Sequence, residues 1–186
     1  MENVIKSYTD EIQALCAGLD RGELSQVLKA FKDAYDKNRR IFVAGNGGSA
    51  ATANHFFCDF SKNAVRNSDK RAKIISLASN VESITAVGND LCFDDIFVEQ
   101  LKNLMEEDDL VLLISASGNS PDIVRAAEYA KSKHGVVVGF TGFSGGKLKE
   151  MADISVHVAS QSYEQVEDIH LMLTHIIVVY FKSLNL

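Results

Sequence analysis

The chain has 186 residues, 46% of them hydrophobic and 24% charged, with a formal net charge of −6. That length buries a sizeable core in one domain, and the proportions are ordinary for a globular protein. The negative balance excludes general nucleic-acid binding, which needs a basic footprint, and leaves any phosphate to be held by local N–H and O–H donors.

Residues 3–17 and 23–37 read as helices; in the second, Leu24, Val27, Leu28, Phe31, Ala34 and Tyr35 fall at helical spacing. A strand over 40–44 feeds Gly45-Asn46-Gly47-Gly48-Ser49, and a helix is predicted over 49–62. Strand 73–78 precedes helical stretches over about 81–88 and 94–105. Strand 109–115 feeds Ser115-Ala116-Ser117-Gly118-Asn119-Ser120-Pro121, and a helix runs from there over 121–133. Strand 135–141, a short helix near 146–151, strand 153–159 and a long helix over roughly 163–183 complete the order. Such alternation predicts an α/β fold: a three-layer αβα sandwich around a five-stranded parallel sheet, with helices on both faces. Residues 1–186 read as a single domain, with N-terminal helices at about 3–37, an α/β core at about 40–159 and the C-terminal helix at about 163–183.

Two of these turns carry the chemistry. In a parallel sheet the loops at the carboxyl ends of strands line the ligand crevice, and a following helix points free N–H groups at an anion. Ser49, Ser115, Ser117 and Ser120 add neutral donors, and Ser120-Pro121-Asp122 reads as an N-cap, a first-turn proline and an acid suited to the helix dipole. Glycines that simply make tight turns are the plain alternative, but two serine-rich turns at equivalent strand ends point to a phosphate on a small molecule. Gly45, Gly47 and Ala50 partly match G-x-G-x-x-G/A, yet the second strand ends Ser76-Leu77-Ala78-Ser79-Asn80 with no acid for a ribose, so no nucleotide cofactor is expected.

His55, Asp59 and Lys62 share one face of the helix after the first turn, and Glu167, Asp168, His170 and His175 lie on the otherwise apolar C-terminal helix. Ionisable groups on such a helix are costly to bury unless paired or functional, although clustering at its start also suits solvation. His134 and His157 read as structural, and Cys58 as a small core residue. Cys16, Cys58 and Cys92 are odd in number and widely spaced, as in a reduced cytoplasmic protein. Residues 1–6 hold no signal-peptide stretch and the apolar run 176–181 is too short to cross a bilayer, so neither export nor a membrane partner is expected.

Taken together these segments resemble the sugar isomerase (SIS) domain family and, within it, the bacterial phosphoheptose isomerases. The matching residues are Gly45-Asn46-Gly47-Gly48-Ser49-Ala50-Ala51 with His55-Phe56, Gly88-Asn89-Asp90, Ser115 to Pro121, Gly145-Gly146-Lys147-Leu148, and the helix with His170 and His175. The resemblance implies a phosphosugar aldose–ketose isomerase converting sedoheptulose 7-phosphate to heptose 7-phosphate through an enediol(ate). It implies Asp59 and His175 as the catalytic pair. It implies substrate binding by Asn46, Gly47, Gly48, Ser49, Asn89, Asp90, Ser115, Ala116, Ser117, Ser120 and Glu167. It also implies zinc on His55, Asp59, Glu167 and His175, and a homotetramer built as a dimer of dimers. A carboxylate and an imidazole suit that chemistry on their own account, one taking a proton beside a carbonyl and the other protonating oxygen. Against the family pattern, Asp59 replaces a Glu, Glu167 a Gln and Ala116 a Thr, and Gln165 stands where an Arg is usual. The rival reading is a non-catalytic SIS module that binds a phosphosugar or a partner protein for regulation.

Overall fold

Five short, largely apolar runs hydrogen-bond side by side as one parallel sheet in the computed structural model, which describes residues 1–186. The strands are β1 (Arg40–Gly45), β2 (Lys73–Ser76), β3 (Leu110–Ser115), β4 (Val136–Thr141) and β5 (Ile154–His157), in the order β2-β1-β3-β4-β5. The central strand β3 is buried along its whole length, which is why it reads as an unbroken apolar run. The edge strands are the short ones, as solvent-facing edges in soluble proteins tend to be. Gly45 pairs with Ile114, so the ends of β1 and β3 lie side by side. The chain winds outward from β1 through β2 on one side and through β3 on the other, and a ligand crevice opens where the winding reverses.

The helices are α1 (Glu2–Ala17), α2 (Arg21–Asp36), α3 (Gly47–Asn63), α4 (Val81–Asp90), α5 (Val98–Leu104), α6 (Pro121–Ser132), α7 (Gly146–Met151) and α8 (Tyr163–Ser183). One sheet face is covered by α2, α3 and α8 through Val27, Phe31, Phe56, Phe60, Leu173, Ile177 and Phe181. The other is covered by α5, α6 and α7 through Leu101, Ile123, Ala126, Ala127, Ala130 and Leu148. These are the three layers that the alternation predicts. Phe31 meets Phe56 edge-on at 5.7 Å and Phe60 meets Phe181 at 4.8 Å, pairs worth about 0.5–1.5 kcal/mol each beyond area burial. The first ties α3 to α2 and the second ties α3 to α8, the two helices on which the candidate site is built.

Several boundaries depart from the sequence reading: α2 starts at Arg21 and not 23, α4 runs on to Asp90, and β5 is confined to Ile154–His157 of the expected 153–159. Three further departures lie at α3, β2 and α5. Helix α3 starts at Gly47, two residues early, because Gly47 enters it at φ 53°, a left-handed conformation that a glycine adopts without strain. Strand β2 stops at Ser76 because the Ser76 hydroxyl accepts from Ala78 N–H and donates to Asn54 Oδ1, while Ser79 Oγ donates back to the Ser76 carbonyl. The helical stretch expected over 94–105 is split into a 3₁₀ turn, Phe93–Asp95, and α5. Ile96 and Phe97, which lie between the two, are both buried.

Candidate active site

The first turn and the start of α3 form one wall of a cleft of about 270 Å³, and the second turn forms the other. Asn46, Gly47, Gly48 and Ser49 line it from α3; Ser115, Ala116, Ser117 and Ser120 line it from the β3 loop; Tyr163 and Glu167 close it from α8. The first-turn N–H groups of α3 have no partner within the helix and Asn46 does not cap them with its side chain, so they remain available to a ligand. Ser120 likewise stands at the N-cap of α6 without a side-chain capping bond. Ser115 Oγ accepts from Gly118 N–H at 3.2 Å and Ser117 Oγ from Asn119 N–H at 3.2 Å, which leaves both hydroxyl hydrogens free to donate. No lysine or arginine lines the cleft. A larger cavity, about 420 Å³, lies between α2 and the amino ends of β3, β4 and β5. It holds no convergent serines or helix start, and ligand crevices of such sheets form at the opposite, carboxyl ends.

Contacts far apart in sequence hold the two turns in place. Asn46 Nδ2 donates to Asp122 Oδ2 at 2.8 Å, tying the first turn to the helix that follows the second. Burial pushes the Asp122 carboxyl above its ordinary range, opposed by the Asn46 hydrogen bond. The second turn rests on the first turn of α7: Leu148 N–H donates to Gly118 O at 2.9 Å and Lys147 N–H to Asn119 Oδ1 at 3.1 Å. The segment Gly145 to Leu148 therefore acts as a brace. Gly118, at φ 62°, has no room for a Cβ beside the Gly145 carbonyl.

Further along the same helix pair, three candidate residues converge. His55 Nε2 faces His175 Nε2 at 3.0 Å, and Asp59 Oδ2 lies 3.5 Å from the first and 3.7 Å from the second. Two neutral imidazoles facing through Nε2 share one hydrogen, so one donates and the other accepts. Donor atoms around a tetrahedral zinc with bonds of about 2.0–2.1 Å lie about 3.3 Å apart, close to these three separations. The donor set thus fits a divalent ion. Glu167, expected as a fourth ligand, is not in this cluster. Its carboxylate lies against Gly48, where a Cβ would collide with it, because residue 167 stands two helical turns before His175.

Gly48 meets Glu167 and His55 meets His175, so α3 and α8 run side by side in the same direction. At 1.5 Å per residue the His–Asp cluster lies about 10 Å along α3 from the cleft. Asn89 and Asp90, at the end of α4, do not line the cleft of this chain; both are exposed and Asn89 Nδ2 donates to Asp90 Oδ1 at 2.7 Å. Lys62 is exposed. Cys58 is exposed too, not a core residue, since it lies across the helix from the buried Phe56 and Phe60. His170 is fully buried: its Nε2 donates to the Thr141 carbonyl at 3.3 Å, its Nδ1 has no partner, and burial pushes its pKa down to about 4. His157 Nδ1 contacts Thr141 Oγ1 at 3.2 Å, and burial lowers its pKa. His134 follows α6 at φ 55°, outside any cavity.

Residue-by-residue reading did not single out Asn119, Tyr163 or the Asn46–Asp122 tie. Asp122 carried a signal, an acid directly after a first-turn proline, but its partner lies 76 positions away.

The SIS domain family model matches residues 7–142 of the chain. The phosphoheptose isomerase of Fusobacterium nucleatum is 34% identical over 180 residues, covering 95% of this chain and 92% of that protein. That of Sulfurimonas denitrificans is 34% identical over 178 residues, covering 95% and 82%. Among solved structures, the phosphoheptose isomerase of Neisseria gonorrhoeae superposes with a TM-score of 0.88 at 26% identity over 98% of both chains. One from Francisella tularensis gives 0.88 at 29% identity over 98% and 96%.

Proposed function

This chain belongs to the SIS domain family, in its phosphoheptose isomerase branch, and on that premise we infer that it interconverts sedoheptulose 7-phosphate and heptose 7-phosphate. The observation that carries the reading is that a donor-lined cleft and a His–Asp–His cluster share one helix pair. A phosphate binder alone needs only the cleft.

In the proposed mechanism the phosphate sits between the two turns, on the first N–H groups of α3 and the hydroxyls of Ser49, Ser115, Ser117 and Ser120. The carbon chain extends toward the cluster. Asp59 removes the proton from C1 of the open-chain ketose, leaving a 1,2-enediolate, and returns it to C2 to give the aldose. His175 gives a proton to O2 and takes one from O1, so no net proton is gained or lost. Residues His55, Asp59 and His175 would hold a zinc ion, which would supply Lewis-acid stabilisation of negative charge on the substrate oxygens in place of the proton from His175, since an imidazole nitrogen bound to metal carries none. Asn89 and Asp90 are proposed to reach the sugar from a neighbouring subunit, since they stand outside this chain's own cleft.

Assembly is proposed on apolar surface. Helix α1 buries none of its residues; Val4 and Ile5 are 71% and 65% exposed, as is Val179 of α8 at 62%. Tyr8 donates to Asp168 at 2.6 Å and Gln165 to Glu11 at 2.5 Å, holding α1 on α8. A second chain covering them gives a dimer, and a dimer of dimers is the proposed homotetramer. We further propose that residues 1–186 act as one domain and in the cytoplasm; no helix is long and apolar enough to cross a membrane.

The test is deuterium exchange and isomer formation with ketose phosphates of five to seven carbons. Wild-type protein should exchange and isomerise the heptulose phosphate, and Asp59→Asn or His175→Ala should lose about 10²–10⁴-fold in exchange while keeping phosphate affinity. Binding without exchange in the wild type would assign a non-catalytic phosphosugar-binding module instead.

A further inference from the structure

Tyr163, the first residue of α8, lines the cleft, yet the mechanism above gives it no task. Its side chain is exposed, and its hydroxyl makes no hydrogen bond within the chain. Glu167, one helical turn later, reaches Gly48 near the start of α3. Because α3 and α8 run in the same direction, Tyr163 stands about 6 Å ahead of that level. It therefore lies in front of the unpaired first-turn N–H groups of α3, on the side where an anion would sit.

A strained residue steadies the ring. Phe143 meets Tyr163 edge-on with centroids 4.7 Å apart, and does so from φ 50°, a left-handed conformation that a bulky side chain rarely adopts. The backbone around Phe143 is tied on several sides. Phe143 N–H donates to Ser160 O and Gly142 N–H to Ala116 O, each at 2.9 Å. Val166 of α8 leaves no room for a Cβ at Gly142. Since Ala116 belongs to the second serine turn, that turn and the aromatic pair form one braced unit. Backbone strain that persists because its surroundings enforce it clusters at sites that hold a ligand.

We propose that Tyr163 is a phosphate-binding residue of the substrate site: its hydroxyl donates to a phosphate oxygen from the open side of the cleft, and its ring, steadied by Phe143, screens that oxygen from water. The inference rests on the phosphosugar reading above and adds to it the group that closes the phosphate position. No lysine or arginine lines the cleft, so a dianion there depends on the number of neutral donors that reach it. A hydroxyl donating to a charged acceptor makes one of the strong hydrogen bonds, and excluding water strengthens it further. Phe143 is a positioning residue, acting through the ring it holds.

The experiment is calorimetric titration of the full chain with sedoheptulose 7-phosphate, alone and against inorganic phosphate as competitor, in wild type, Tyr163→Phe, Phe143→Ala and the double variant. Tyr163→Phe keeps the ring and should leave the melting temperature unchanged, while weakening the heptulose phosphate and inorganic phosphate alike by about tenfold or more. Phe143→Ala should weaken the heptulose phosphate as well, and by a smaller factor when Tyr163 is already Phe, because the two act as a pair. An equal loss in both backgrounds would make Phe143 merely structural and refute its positioning role. Loss of heptulose phosphate affinity with phosphate competition unchanged would put the hydroxyl on the sugar chain and overturn the phosphate assignment. Wild-type affinity in Tyr163→Phe, with Ser117→Ala and Ser120→Ala weakening the ligand, overturns this inference alone. If the serine variants also bind as wild type does, or if wild type binds no heptulose phosphate, the phosphosugar reading falls with it.

Discussion

Replacing Gly118 by alanine separates two costs that the second turn carries, and Gly47 supplies the control. Both glycines are left-handed, at φ 62° and 53°. A Cβ on Gly47 would meet no atom within 4 Å, whereas one on Gly118 would be driven into the carbonyl of Gly145. Gly47→Ala therefore carries only the backbone term, about 1–2 kcal/mol for an L-residue in that conformation. Gly118→Ala adds an overpacking term of about 1–3 kcal/mol, because the Gly145 carbonyl belongs to a loop held by the Leu148 N–H to Gly118 carbonyl bond and cannot retreat without losing it. The expected destabilisation is about 2–5 kcal/mol. For a chain of this size about 2–4 °C in Tm accompanies each kcal/mol, so the added overpacking term should make Gly118→Ala melt about 2–12 °C below Gly47→Ala in differential scanning calorimetry. Phosphate affinity should fall in the Gly118 variant as well, since Ser117 and Ser120 flank the displaced residue. Equal melting temperatures for the two variants would show that the loop before α7 yields freely and does not brace the turn.

Burial holds the His170 imidazole neutral, with a pKa near 4 against 6.5 when unfolded. The unfolded chain therefore binds the extra proton first, and stability from this group is complete above about pH 6.5 and lost as pH falls toward 4, on the order of 3 kcal/mol in all. Urea unfolding across that range should show a shallower acid slope for His170→Gln than for wild type, and identical slopes would refute the assignment. Zinc is checked by elemental analysis of protein purified without chelator: about one equivalent is expected and should vanish in His55→Ala, while full activity of metal-free protein would remove the ion from the mechanism. Light scattering checks the assembly: Val4→Lys with Ile5→Lys should shift the protein toward smaller species, and a wild-type monomer with full activity would overturn the proposed oligomer.

Much of the architecture is legible in the sequence because it follows from local rules. Apolar runs such as Leu110 to Ile114 admit little but a strand buried on both faces, and their alternation with helical periods leaves few topologies besides a parallel sheet covered on both sides. Gly-rich turns after β1 and β3 mark the cleft, because a helix start exposes N–H groups whatever the rest of the chain does. The split between the 3₁₀ turn and α5 is less legible: no glycine or proline interrupts Phe93 to Leu104 to mark it. Tertiary structure alone decided which charges meet. His55 and His175 are 120 positions apart, and the shared core that seats α3 on α8, Phe60 against Phe181 among it, brings their nitrogens to 3.0 Å. The same seating sends Glu167 to Gly48 and leaves His175 with Asp59, although helical spacing places Glu167 and His175 within a quadrant of each other. Sequence specifies the face on which a side chain stands; the partner it finds there depends on how far one helix has slid along the other, which the whole core determines.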